Sequence, residues 1–224
     1  MKVIAFDLDG VLADTEQIHH SALLDAISIH ISVNKDAVLS ILSIDGSTTA
    51  SKLSRLQLLC GLTDSEICAI DKTKQIITQK QLTKIRPSAS QREILSVLSE
   101  KYRLALVSNS RQANVDQILT ALNIKQFFQC VLTPNPLSPK PDPAMYIHLR
   151  SEFNVSSKDI LVLEDSEAGI ESALKSGCFV MGINTMTDVS LTNIQNVLQE
   201  IDTYNNSTNG WERQQIFSRG IHTD

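Results

Sequence analysis

The chain has 224 residues, 42% of them hydrophobic and 20% charged, the balance of a soluble globular protein. Its net charge of −5 at pH 7 argues against nonspecific nucleic-acid binding, which needs a basic surface to displace counterions. Cys60, Cys68, Cys130 and Cys178 lack CxxC spacing, so neither a zinc site nor a disulfide framework is expected.

"KVIAF" (2–6) reads as a buried strand. No apolar run reaches a membrane span, and charge arrives too early after Met1 for a signal peptide, so a cytoplasmic protein with reduced thiols is expected. "FDLDGVLADTE" (6–16) then sets Asp7 and Asp9 two apart where the strand should end. Carboxylates repel one another, and burying them is costly without a cation or hydrogen bonds.

Residues 14 to about 87 carry no strand pattern. "EQIHHSALLDAISIHI" (16–31) places His20, Leu24, Ile27 and Ile31 on one helical face, and Thr63 with Glu66 forms a capping box for another helix. So much helix exceeds a crossover. Residues 14–86 are expected to form an inserted helical cap, with pivots near Asp14 and Arg86, on a core of 1–13 and 87–201.

Ser88 and Gln91 read as a capping box opening a helix through Ile94, Leu95 and Leu98. Four further strands follow: "RLALVS" (103–108), "FQCVL" (128–132), "DILVL" (159–163) and "CFVMGI" (178–183). "PAMYIHLRSEF" (143–153) begins a helix with Pro143 at its first position. Alternating strands and helices give a doubly wound parallel α/β sheet. Residues 202–224 are polar and read as a frayed tail, the alternative being Trp211, Ile216 and Phe217 docked on the core.

In such a sheet, ligands bind beyond the carboxyl ends of the strands. The first strand delivers Asp7 and Asp9 there, and the second Ser108, Asn109 and Ser110. The third leads into "SPKPDP" with Lys140, and the fourth delivers Glu164 and Asp165. Singly these are a turn, an N-cap, a solvated lysine and an acidic helix start. At four successive strand ends they make one site. Oxygen ligands from Asp7, Asp165 and Glu164 suit a hard cation such as Mg²⁺. Two like charges about 4 Å apart repel by roughly 4 kcal/mol at an effective dielectric near 20, so an anionic nucleophile needs a cation to approach a phosphate. Lys140, Ser108 and Asn109 would hold phosphoryl oxygens. Asp7 is placed to attack and Asp9 to carry a proton.

"FDLDGVLADTE", "LVSNS", "KPDP" and "LEDSEAGIESA", in that order over nearly all of residues 1–200, resemble the haloacid dehalogenase-like hydrolase superfamily. The branch they resemble holds β-phosphoglucomutase and the small sugar-phosphate phosphatases. The resemblance implies a Rossmann-like core with an α-helical cap inserted after the first motif. It also implies an aspartyl-phosphate on Asp7, with Asp9 protonating the leaving alcohol and then activating water. Ser108 and Lys140 would bind phosphate, with Asn109 beside them. Mg²⁺ would sit on Asp7, the backbone carbonyl of Asp9 and Asp165, with Glu164 close by or coordinating. His19 matches a histidine of the mutases on the first cap helix. The resemblance points to a phosphomonoester, since Asp9 is acidic where the dehalogenases and the ion pumps of the superfamily differ.

The sequence departs from the mutases at "DGSTTASKLSRL" (45–56). Mutases carry an arginine shortly after the loop glycine, whereas Gly46 is followed by Ser47, Thr48 and Thr49. The planar bidentate phosphate grip is missing, and Lys52 and Arg55 read as solvated helix residues. The expected function is a Mg²⁺-dependent phosphatase of a small phosphorylated metabolite, in particular a sugar phosphate. A sugar phosphomutase is the first alternative. A non-catalytic regulatory or binding member is the second, although such relatives usually lose a charged residue and Asp7, Asp9, Lys140 and Asp165 are all present. No nucleic acid or membrane partner is expected, and the chain would act as a monomer or homodimer.

Overall fold

Val3–Phe6, strand β1, is an apolar run buried on both faces, as the middle strand of a parallel sheet must be. The computed structural model describes residues 1–31, 48–206 and 216–218. Strands β2 (Arg103–Val107), β3 (Phe128–Leu132), β4 (Ile160–Glu164), β5 (Phe179–Gly182) and β6 (Ile216–Ser218) join β1 in the order β3-β2-β1-β4-β5-β6. Every pairing is parallel.

Alternate residues supply two cores. Ile4, Phe6, Leu104, Leu106, Leu161 and Leu163 point to one face, covered by α4 (Ala89–Ser99), α5 (Gln112–Leu122) and α8 (Leu191–Asn206). Val3, Ala5, Ala105, Val107, Ile160 and Val162 point to the other, covered by α6 (Ala144–Phe153) and α7 (Glu167–Lys175). Each large side chain so buried is worth roughly 1.5–3 kcal/mol. The order places a topological switch between β1 and β4, and there the strand ends open a crevice. Phe6 is in register with both Leu106 and Leu163, so Asp7 leaves the sheet level with Val107 and Glu164.

Between β1 and α4 lie α1 (Glu16–His30), α2 (Thr49–Cys60) and α3 (Asp64–Leu82), packed on a separate apolar cluster of Leu23, Ala26, Ile27, Leu53, Leu56 and Ile70. Gly61, at φ 64°, ends α2 in the left-handed conformation, and the Thr63–Glu66 capping box starts α3. The fully buried stripe of α1 is Ala22, Leu23, Ala26 and Ile27; of the expected face Ile27 lies in it, Leu24 and Ile31 pack partly buried against the same cluster, and His20 does not join it. Counting large apolar residues passes over the two alanines of the stripe. No helix among the described residues is long and apolar enough to cross a membrane.

Three details differ from expectation. Pro143 stands at the N-cap of α6, one residue before the helix proper. Ser88 caps α4, but the Gln91 side chain donates to the Leu12 carbonyl at 2.8 Å instead of closing the box. The polar end is not frayed throughout: α8 runs to Asn206, and Ile216–Ser218 pairs in register with Val180–Gly182. Gly46, Ser47 and Trp211 lie outside the described residues.

Candidate active site

The turn after β1 shapes the site. Gly10 has φ 81°, and its N–H donates to the Ala13 carbonyl at 2.8 Å. A Cβ on Gly10 would overlap the Asp165 carboxylate, which is how the β4–α7 loop comes to rest against the first motif.

Lys140 reaches the rim from the loop before α6. Its ammonium donates to Asp7 Oδ1 at 2.6 Å, Glu164 Oε2 at 2.6 Å and the Val107 carbonyl at 2.7 Å. Three donors meet three acceptors, with Lys140 and Asp7 almost wholly buried and Glu164 completely so. Asn109 fixes the loop by accepting from Lys140 N–H at 2.9 Å and donating to the Lys140 carbonyl at 3.1 Å. The second Glu164 oxygen accepts from Ser166 N–H at 3.2 Å and Oγ at 2.8 Å, where Ser166 caps α7.

Burial and the nearby Glu164 carboxylate push the Asp7 carboxyl well above its ordinary range, with Lys140 opposing them. For Lys140, burial favours the neutral form, but Asp7 and Glu164 overcome it and hold the ammonium charged. Burial and Glu164 push Asp165 up to about 7. Carboxylate oxygens of Asp7, Glu164 and Asp165 lie within 4.8 Å of one another. One ammonium does not satisfy three carboxyl groups, as the upward shifts of Asp7 and Asp165 register, and the donors are all hard oxygens. That set fits a divalent cation such as Mg²⁺.

Asp9 is compensated differently. Its Oδ1 accepts from Thr15 Oγ1 and meets His19 Nε2 at 3.2 Å, while Oδ2 accepts from Ser110 Oγ at 2.6 Å and Ser108 Oγ at 3.4 Å. Burial would raise the carboxyl, but His19, Ser110 and Thr15 outweigh it and keep Asp9 far below the usual carboxylate range. His19 Nδ1 in turn lies 3.4 Å from Lys74 Nζ, which donates to Thr49 Oγ1 at 3.0 Å. Burial, with Arg111 adding to it, pulls the Lys74 ammonium down to about 8.

A cavity of about 710 Å³ lies between the sheet rim and α1–α3. Asp7, Asp9, His19, Asn109, Lys140 and Asp165, all singled out in the sequence, line it. Ser108 and Glu164 stand behind the wall: the Ser108 hydroxyl accepts from Ser110 N–H at 3.0 Å, and both oxygens of Glu164 are engaged. Lys52, expected to be solvated, is half-buried on the lining, whereas Arg55 is exposed. Sequence reasoning missed Thr15, Lys74 and Arg111 and left Ser110 without a role. Ser110 was within reach, two residues beyond Ser108. Lys74 carried no local signal, because its burial comes from the packing of α1 on α3.

A parallel sheet with its switch point at a carboxylate-rich rim, roofed by inserted helices, defines a class of hydrolase. The chain belongs to the haloacid dehalogenase-like hydrolase family, whose model matches residues 4–183. It is 28% identical over 193 residues to β-phosphoglucomutase of Bacillus subtilis, covering 82% of this chain and 83% of that one. It is 26% identical over 181 residues to the phosphorylated carbohydrates phosphatase of Thermotoga maritima, covering 79% and 82%. The crystal structure of β-phosphoglucomutase from Clostridium difficile superposes with a TM-score of 0.77 over 92% of this chain and all of that one, at 19% identity, and speaks to the fold.

Proposed function

We propose that this protein is a Mg²⁺-dependent phosphatase that hydrolyses a sugar phosphate through an aspartyl-phosphate on Asp7. One observation carries the reading. Lys140 occupies one oxygen of Asp7 and leaves the other for the cavity, across which Asp9 is held by an independent set of partners.

Asp7 Oδ2 attacks phosphorus, and the ester P–O bond breaks as Asp9, ionised at rest and taking up a proton from solvent as the anionic ester binds beside it, gives that proton to the departing alcohol oxygen. Asp9 then takes a proton from water, whose oxygen attacks phosphorus and displaces the Asp7 carboxylate with release of phosphate. Mg²⁺, held by Asp7, Asp165 and the Asp9 carbonyl, would neutralise charge on the transferring phosphoryl group. Lys140 keeps Asp7 oriented, and Asn109 keeps Lys140 in place. The family match and the named activity of the Thermotoga relative support the substrate class. The free thiols of all four cysteines support a reducing compartment.

Water is favoured over a second sugar phosphate as the acceptor, because Thr49, among the residues where mutases carry an arginine, is already engaged by Lys74. A sugar phosphomutase is the second reading, supported by Lys52, Lys74 and Arg111 on the cavity wall, where a second anionic group would find cations. A panel of phosphorylated metabolites with a free-phosphate readout, with Mg²⁺ or with EDTA, tests the main reading. Phosphate release that EDTA abolishes supports it, and release indifferent to EDTA contradicts it. Isomer interconversion by NMR, primed with a sugar bisphosphate, would establish the mutase instead.

A further inference from the structure

Along α3, residues Asp71, Gln75 and Gln79 recur every four positions. Opposite them on α5 and its cap, Arg111, Asn114 and Gln117 recur every three. The two rows meet rung by rung. Arg111 Nη2 reaches both Asp71 oxygens at 2.7 Å, Gln75 Nε2 donates to Asn114 Oδ1 at 2.5 Å, and Gln117 Nε2 donates to the Gln79 carbonyl at 2.8 Å. We propose that this polar seam is the latch that sets the closed position of α1–α3 over the sheet, and that its residues are positioning residues for Lys74.

The character of the seam supports a contact made to part. The helices α1, α2 and α3 hold together through apolar side chains. Toward the sheet, Leu82 at the connecting end is the one described α3 residue in the apolar cores. Surfaces joined by hydrogen bonds rather than apolar area separate into water at little cost. Closure also leaves the buried Gln75 Oε1 unpaired among the described residues, a penalty that separation relieves. Lys74 lies on α3 between the first two rungs, and its ammonium approaches His19 Nδ1 and Thr49 Oγ1. Where the seam sets α3, it sets that ammonium as well.

The inference deepens the phosphatase reading, since a site that admits and releases a metabolite needs a seam that opens. The test uses the full chain carrying Gln79→Cys and Gln117→Cys with Cys60→Ser and Cys68→Ser, joined by a short bis-thiosulfonate that dithiothreitol releases. Cross-linking is expected to lower Mg²⁺-supported turnover of an aryl phosphate about tenfold, with recovery on reduction. Turnover unchanged by the cross-link would overturn the latch. A second arm needs no substrate. Adding Asp71→Ala and Gln75→Ala should slow cross-link formation about threefold, followed by mass spectrometry, as the closed population falls. An unchanged rate would overturn the proposal. If neither the variant nor the natural chain cleaves any ester, the phosphatase reading fails and the cross-linking rate alone decides the seam.

Discussion

The Glu164 carboxylate occupies the place where a side chain on Gly169 would begin: a Cβ there would overlap the carboxyl group. Helix α7 can therefore pass beside Glu164 only with glycine at this position, while Ser166 of its cap holds the other carboxylate oxygen. Gly169→Ala is expected to displace Glu164 and loosen Lys140 from Asp7. Overpacking of this kind costs roughly 1–3 kcal/mol, so a lowered Tm and a reduced kcat are expected together. An alanine variant with unchanged Tm and kcat would show that Glu164 has room to move.

Lys140→Met leaves Asp7 and Glu164 buried without their counter-charge. Breaking a buried pair from one side costs about 3–5 kcal/mol, which urea unfolding at pH 7 should register alongside complete loss of turnover. Lys140→Arg should not rescue activity. The three acceptors surround a compact ammonium, and a planar guanidinium fork cannot meet all of them.

Lys74 should cost stability at neutral pH. Its ammonium, at about 8 in the folded protein against an ordinary 10.5, is buried while charged. Below pH 8 both folded and unfolded chains hold the proton, so the burial penalty is present in full. As pH rises from 8 toward 10.5, the folded protein gives up its proton first and the penalty fades. Lys74→Met is thus expected to raise unfolding free energy at pH 7 by roughly 3 kcal/mol and to confer little advantage near pH 11. The same variant should lower kcat/KM, because His19 loses its neighbour. Equal stability gains at both pH values would contradict the assignment.

Asn109→Ala removes both hydrogen bonds that clasp the Lys140 backbone. Since Asn109 orients a residue that orients the nucleophile, kcat should fall by about tenfold with a smaller change in KM. Steady-state kinetics on one ester would measure the split.

The rim residues were legible because each follows an apolar strand, and a parallel sheet brings its strand ends together whatever the helices do. Asp7, Asp9, Lys140 and Asp165 could be gathered on that ground alone. Roles were harder to read than positions. Glu164 reads as a metal ligand in sequence and does lie with Asp7 and Asp165 in the carboxylate cluster, but its bonds to Lys140 and Ser166 could not be read there. Ser108 looks like a phosphate donor, yet its hydroxyl serves Asp9 and Ser110. Those distinctions depend on ångström-scale side-chain direction, which spacing does not encode. Lys74 and Arg111 depend on how two helices from distant parts of the chain meet, and so does the strand at Ile216–Ser218 on its neighbour β5.

The most direct measurement is acid-quench mass spectrometry of the full chain caught during turnover of an aryl phosphate with Mg²⁺, after borohydride reduction of any acyl phosphate. Modification at Asp7 is expected, accumulating further in Asp9→Asn and absent from Asp7→Asn. Turnover that persists in Asp7→Asn, or a label found at another residue, would contradict phosphoryl transfer to Asp7.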